Sequence, residues 1–189
     1  MPGTGPPGGG AEGVIAMRRI GVILALGALL GMFGGVVTAA PALAGRGHKW
    51  QLLHFKPFTL PAAFCGFKVR VTAPVNKEFA KILKASDGSM TGLFTGSAKW
   101  SFTNLRTGKA ITENVSGPGK VTMNSDGSAT FADKGHTPFF LPPADAARFG
   151  LPTVSVTAGA ITGSIAADGS LTSLSLKGHV LVDVCAALA

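Results

Sequence analysis

The side chains able to do chemistry in this chain are few. Beyond residue 44 the carboxyls are Glu78, Asp87, Glu113, Asp126, Asp133, Asp145, Asp168 and Asp183, and the imidazoles are His48, His54, His136 and His179. Cys65 and Cys185 are the two thiols. Glycosidase chemistry needs two carboxyls facing each other across a cleft. Asp87, Asp126 and Asp168 each stand in an Asp-Gly-Ser triplet and serve as turn residues. That leaves Glu78, Glu113, Asp133, Asp145 and Asp183. Glu113 is the candidate of most interest, because it shares the parity of Ile111 and Val115, which look inward. An inward carboxyl is costly unless it is paired. It fits an edge strand, where an inward charge blocks aggregation, a local bulge, or a polar anchor within an apolar cavity. A metal site would need His54, His136 and His179 to converge from three strands, and none is expected. The D-G-S triplets lack the alternating acids and closing Glu of a calcium loop. Nucleophile-elbow, zincin, Walker and S-x-x-K motifs are absent, and no cofactor is expected.

Aromatic residues supply the other candidates. Trp100 and Phe102 alternate with Lys99, Ser101 and Thr103. With Glu113 they form the candidate ligand-binding set, walled by Val69, Val71, Ile111 and Val115. The thiols have a simpler reading. The chain has two Cys and no C-x-x-C. In an exported protein an even count reads as a disulfide, and two Cys allow one intramolecular pairing, Cys65–Cys185. Parity raises a difficulty. Cys65 shares a face with Phe67 and Val69, whereas Cys185 sits opposite to Val182 and Val184. Gly66, or the chain after Val184, has to absorb the mismatch.

The elements positioning these groups read as strands. Phe67–Thr72 alternates strictly, as do Leu174, Leu176, Val180, Val182 and Val184 against their polar neighbours. Val154 and Val156 hold one parity and Ile161 and Ile165 the other, which places a β-bulge at Gly159. Asn76–Ala85 abuts the first D-G-S and is read as a strand. The D-G-S triplets read as type I′ hairpins, and Thr107-Gly108-Lys109 as a further turn. Residues 136–152 read as one long connection with a helical turn at 144–149. The expected fold is all-β: a single-domain antiparallel meander of eight to ten short strands, a β-barrel in preference to a β-sandwich.

The front of the chain is a targeting segment. Met17-Arg18-Arg19 precedes an uncharged apolar stretch over 20–37, and Ala42-Leu43-Ala44 is an A-x-A cleavage site. Residues 17–44 thus read as a signal peptide and 1–16 as a disordered extension or a misassigned start. Residues 45–189 read as one β-domain, ordered from about residue 50, with no membrane span left after cleavage near Ala44-Gly45. The whole chain carries a net charge of +8, and its lysines are dispersed. That favours a solvated surface, with attraction to an anionic cell-envelope polymer or membrane surface as the sharper reading. No nucleic-acid module is recognisable.

A resemblance supports this outline. Phe58–Val71 (FTLPAAFCGFKVRV), the Asp-Gly turns, Thr107-Gly108-Lys109 before Asn114-Val115-Ser116-Gly117, and Val182–Ala189 (VDVCAALA) resemble uncharacterised small secreted β-rich proteins of actinobacteria. The likeness covers most of 50–189. It implies export, a disulfide and a β-rich fold, and it carries no activity.

The expected function is that of a secreted, non-enzymatic β-barrel. It would bind a small apolar ligand or act as a structural or interaction component of the envelope. Two alternatives stand beside it. One is a barrel-scaffold enzyme of isomerase or cyclase type. The other is a secreted inhibitor or interaction module using the loop Pro142–Pro152.

Overall fold

The computed structural model describes residues 49–189; the expected extension 1–16 and signal peptide 17–44 lie outside them. Nine strands and two short helices follow in order: β1 (Gln51–Leu52), β2 (Phe58–Leu60), β3 (Val69–Lys84), β4 (Met90–Asn104), β5 (Ala110–Asn114), β6 (Gly119–Met123), β7 (Ala129–Phe140), α1 (Pro143–Phe149), β8 (Val154–Ile165), β9 (Leu171–Asp183) and α2 (Val184–Leu188). Every pairing is antiparallel, and the strands form one sheet in the order β1-β3-β4-β6-β7-β8-β9. β2 adds to β3 and β5 to β4. The fold is all-β, as expected. Its principal strands are longer than expected: β3 has 16 residues and β4 has 15.

The barrel is corrected. The sheet runs from β1 and β2 on β3 to β9, which pairs with β8 alone, and does not close. The physical reason lies in how strands are buried. Closure needs the last strand to pair with the first, and β9 pairs with β8 alone, while β8 itself is covered on both faces: Val154, Ser155, Val156 and Thr157 are all buried. This part of the sheet is an internal layer, with a core on each side. One core gathers Leu60, Val69, Val71, Trp100, Phe102, Phe140, Val154, Val156, Val184 and Leu188. The other gathers Ala80, Phe94, Val121, Phe131, Phe139, Leu141, Ile161 and Leu171 with Ala146 of α1.

The two cores also explain the change of parity in β8. The β7–β8 ladder is continuous from Ala129↔Ile165 to Phe140↔Val154, with Gly135 facing Gly159. No residue is inserted at Gly159. Val156 and Ile161 simply serve different cores on opposite faces. The register shift lies instead between Val156 and Thr157, against β9. A line of glycines crosses the sheet at this level: Gly96 opposite Glu78, Gly117 beside Lys134, then Gly135, Gly159 and Gly178. At this level the backbones of neighbouring strands approach too closely to admit a Cβ.

Loop chemistry is close to the expectation but not identical. In the first D-G-S hairpin Gly88 N donates to Ala85 O and Ala85 N to Ser89 O. Gly88 has φ +86. This is a three-residue loop ending on a left-handed glycine, not a two-residue type I′ turn. The Asp87 carboxylate accepts from Ser89 N, an Asx-turn that explains the triplet's composition. The other two triplets repeat the pattern. The 136–152 connection is also shorter than expected, because β7 continues to Phe140 and the rest is α1 and its flanks. Gly150 caps α1 at φ 64.

The disulfide pairs Cys65 with Cys185 at a Cα separation of 5.1 Å. Neither residue lies on a strand. Cys65 is in the turn between β2 and β3, and Cys185 is in α2. The parity mismatch therefore does not arise.

Candidate functional site

Glu113, Trp100 and Phe102 do come together. Trp100 pairs with Glu113 and Phe102 with Ile111 across β4 and β5, so Glu113 sits on the aromatic face. It is half-buried on a strand paired on one side only. Trp100 is 7% and Phe102 0% exposed. The Trp100 ring lies 4.9 Å from Phe55 and 6.1 Å from Phe140, the latter nearly parallel at 19°. Phe58 meets Phe140 edge-on at 5.7 Å. These are stacking distances within a packed core. Burying each such ring stabilises by about 2–3 kcal/mol, and the rings fill the space an apolar ligand would need. Beside Trp100 is a cleft of about 50 Å³, a water-sized volume.

That cleft holds the carboxyls that sequence reasoning set aside. It is lined by Glu78 of β3 and Asp133 of β7, with Trp100, Phe140, Lys134 and His136 around them. Glu78 faces inward because the register of β3 shifts between Thr72 and Val75. Beyond that shift Asn76, Glu78 and Ala80 share a face. The shift spans Pro74, a residue confined to bulges and edges within sheets. Asp133 alternates with the buried Ala129 and Phe131. Both signals were in the sequence. Burial pushes the Glu78 carboxyl up to about 7, and the charge of Asp133 adds to the effect. Burial likewise raises Asp133 to about 6, opposed by a hydrogen bond from the Lys120 backbone. Between these values the pair retains a proton at near-neutral pH.

This has a consequence for stability. Below about pH 3 both groups are largely neutral whether the chain is folded or not, and burial is nearly free of electrostatic cost. As pH rises the unfolded chain ionises first. The folded protein then pays desolvation, in full once pH passes the folded value of about 7 at Glu78. The pair should destabilise the fold by on the order of 2–4 kcal/mol at pH 8 relative to pH 4.5. Thermal melts should show the wild-type midpoint falling across this window and a flatter, higher curve for Glu78→Gln at pH 8. Parallel curves for the two proteins would show that burial at Glu78 is not the cause.

His54 and His179 do not line this cleft, and among the described residues no three His, Cys, Asp or Glu side chains are grouped to hold a metal ion.

The opposite face of the sheet is of another kind. Alternation along each strand and the register between strands place Lys77, Lys81, Lys99, Lys120, Lys134 and Lys177 on it. The carboxyls of the described residues lie elsewhere. Glu78 and Asp133 point inward, Glu113 is on the Trp100 face, and Asp87, Asp126 and Asp168 are in turns. Asp145 is in α1, and Asp183 caps α2 by accepting from Ala186 N. One row of the face is hydroxyl-lined across five strands: Thr91↔Thr122, Thr122↔Thr130, Thr130↔Ser164 and Ser164↔Ser173 are successive pairs. A shallow trough of about 310 Å³ runs along it. Sequence reading identified the lysines as dispersed along the chain; only register shows that they share a face.

The chain matches no protein-family model, no curated protein and no solved structure. Among the described residues no helix is long and apolar enough to cross a membrane.

Proposed function

We propose that this chain is an exported, non-catalytic binding domain that adsorbs to an anionic polymer of the cell envelope through the basic outer face of its sheet. One observation carries the reading: by register no carboxylate shares the face of the six lysines, and of the six only Lys134 also borders the cleft of Glu78 and Asp133. Charges so segregated create a field that attracts polyanions, and neighbours of opposite sign would cancel it. The disulfide suits an oxidising compartment, and the signal-peptide pattern at 17–44 supplies the route. Small apolar ligands are a poorer fit, because the aromatic rings occupy the core.

Purified protein should be retained on immobilised polygalacturonate and polyphosphate at about 0.05 M salt and released by about 0.5 M, where screening is short-ranged. Lys120→Glu/Lys134→Glu should weaken retention roughly tenfold. Lys56→Glu/Lys84→Glu changes the net charge equally on residues outside this face, Lys84 having the opposite parity, that of Ala80, and should change retention little. Equal losses in both double variants would reduce the effect to net charge and remove the face from the account.

A further inference from the structure

The face carries more than charge, and its register gives a direction. Lys81 pairs with Leu93, Leu93 with Lys120, Lys120 with Ala132, Ala132 with Thr162, and Thr162 with Ser175. Trp50 stands one residue before the Gln51↔Ala80 pair, so it continues this row beyond Lys81. It is 47% exposed. The row thus presents an open indole at the sheet edge, then lysine, then lysine again two strands on, then hydroxyls. The Thr91–Ser173 hydroxyl row runs alongside, and the trough lies between Lys120, Thr130, Thr162 and Ser173.

On the basis of the polyanion reading above, we infer that the preferred polymer is an acidic polysaccharide laid across the strands along this row. Three features fit such a chain better than a plain polyanion. Trp50 offers an apolar face for a sugar ring, a use to which an inorganic polyphosphate has no answer. The hydroxyl row supplies donors and acceptors for sugar hydroxyls. Lys81 and Lys120 are two strand spacings apart, about 10 Å. That distance suits a carboxylate on every second ring of an extended glycan. Ala132, between Lys120 and Thr162, leaves the trough open for the ring between.

The two indoles make the test direct. Trp100 is buried, so a ligand on the outer face should perturb the emission of Trp50 alone. The probe is a decasaccharide of alternating glucuronate and N-acetylglucosamine, compared with polyphosphate of equal charge and with phosphatidylglycerol vesicles. The glycan should give a saturable emission change that is lost in Trp50→Ala. Its affinity should fall about fivefold to tenfold in Trp50→Ala and about threefold in Thr130→Val. Polyphosphate affinity should be nearly unchanged by either substitution. If polyphosphate binds as tightly as the glycan, and neither variant discriminates them, the glycan inference fails while adsorption to anionic polymers survives. If neither polymer binds, both readings fall. Binding to vesicles alone would replace both with a membrane-surface role.

Discussion

Reduction of the Cys65–Cys185 disulfide is expected to cost this fold about 5 kcal/mol, because the bond closes a span of 120 residues in the unfolded chain. For a domain of this size that lowers the melting midpoint by roughly 10–20 °C. The location of the bond decides where the loss appears. It joins the β2–β3 turn, whose Phe64 and Phe67 are buried, to α2, whose Val184 and Leu188 are fully buried. α2 is otherwise held by few polar contacts: Asn104 Nδ2 donates to Leu188 O, and Lys109 Nζ donates to Ala189 O. Without the bond, α2 and the β2–β3 turn should open first, exposing one face of the Trp100 core. Cys65→Ser/Cys185→Ser, followed by amide exchange, should show early exchange in 184–189 and retained protection around Phe131 and Ile161. A melting midpoint within about 3 °C of wild type would mean that packing alone holds the end of the sheet.

The strands were legible in the sequence because each has a polar and an apolar parity, and a local pattern suffices for that. Asn76–Ala85 read correctly as strand despite its helical spacing, since it leads into a hairpin triplet. What was not legible is what happens between strands. Phe139 and Phe140 are adjacent in sequence and both buried, one in each core, and no single-face pattern describes that. Closure into a barrel was inferred from tight turns alone, and such turns serve an open sheet equally well. For the site, parity exposed Glu113 but not its setting on β5, which pairs only with β4. Glu78 was obscured by the Pro74 shift, which inverts the parity of everything after it in β3. Asp133 follows Ala129 and Phe131 without interruption and was open to the same reading as Glu113. Of the six lysines, Lys99 and Lys177 were visible on polar parities, and the rest only as dispersed charges. Their assembly on one face depends on five strand registers, which a chain reading does not contain.

Gly159→Ala and Gly178→Ala are expected to damage the fold by 3 kcal/mol or more each, well beyond the effect of replacing an ordinary strand glycine. The two residues face each other across β8 and β9. A Cβ on Gly159 would collide with the carbonyl oxygen of Lys177, and one on Gly178 with that of Ala158. In both cases the obstacle is backbone, which cannot swing aside as a side-chain tip does. Gly159 also has φ +120, a region that residues with a Cβ avoid. The argument reaches beyond these positions, because the same line holds Gly135 opposite Gly159. Moving β8 away from β9 would disturb the ladder beside Val154–Thr157, which are all buried. A glycine with room makes the control. Gly169 also has a positive φ, of +85, but no atom lies within 4 Å of an added Cβ. Gly169→Ala should therefore cost only the conformational strain, about 1–2 kcal/mol. Urea unfolding of the three variants compares them directly. If Gly159→Ala and Gly178→Ala match Gly169→Ala, the close approach of the backbones is not what shapes the sheet. If they lose at least twice as much, the close approach of β8 and β9 at these glycines is a steric requirement of this fold.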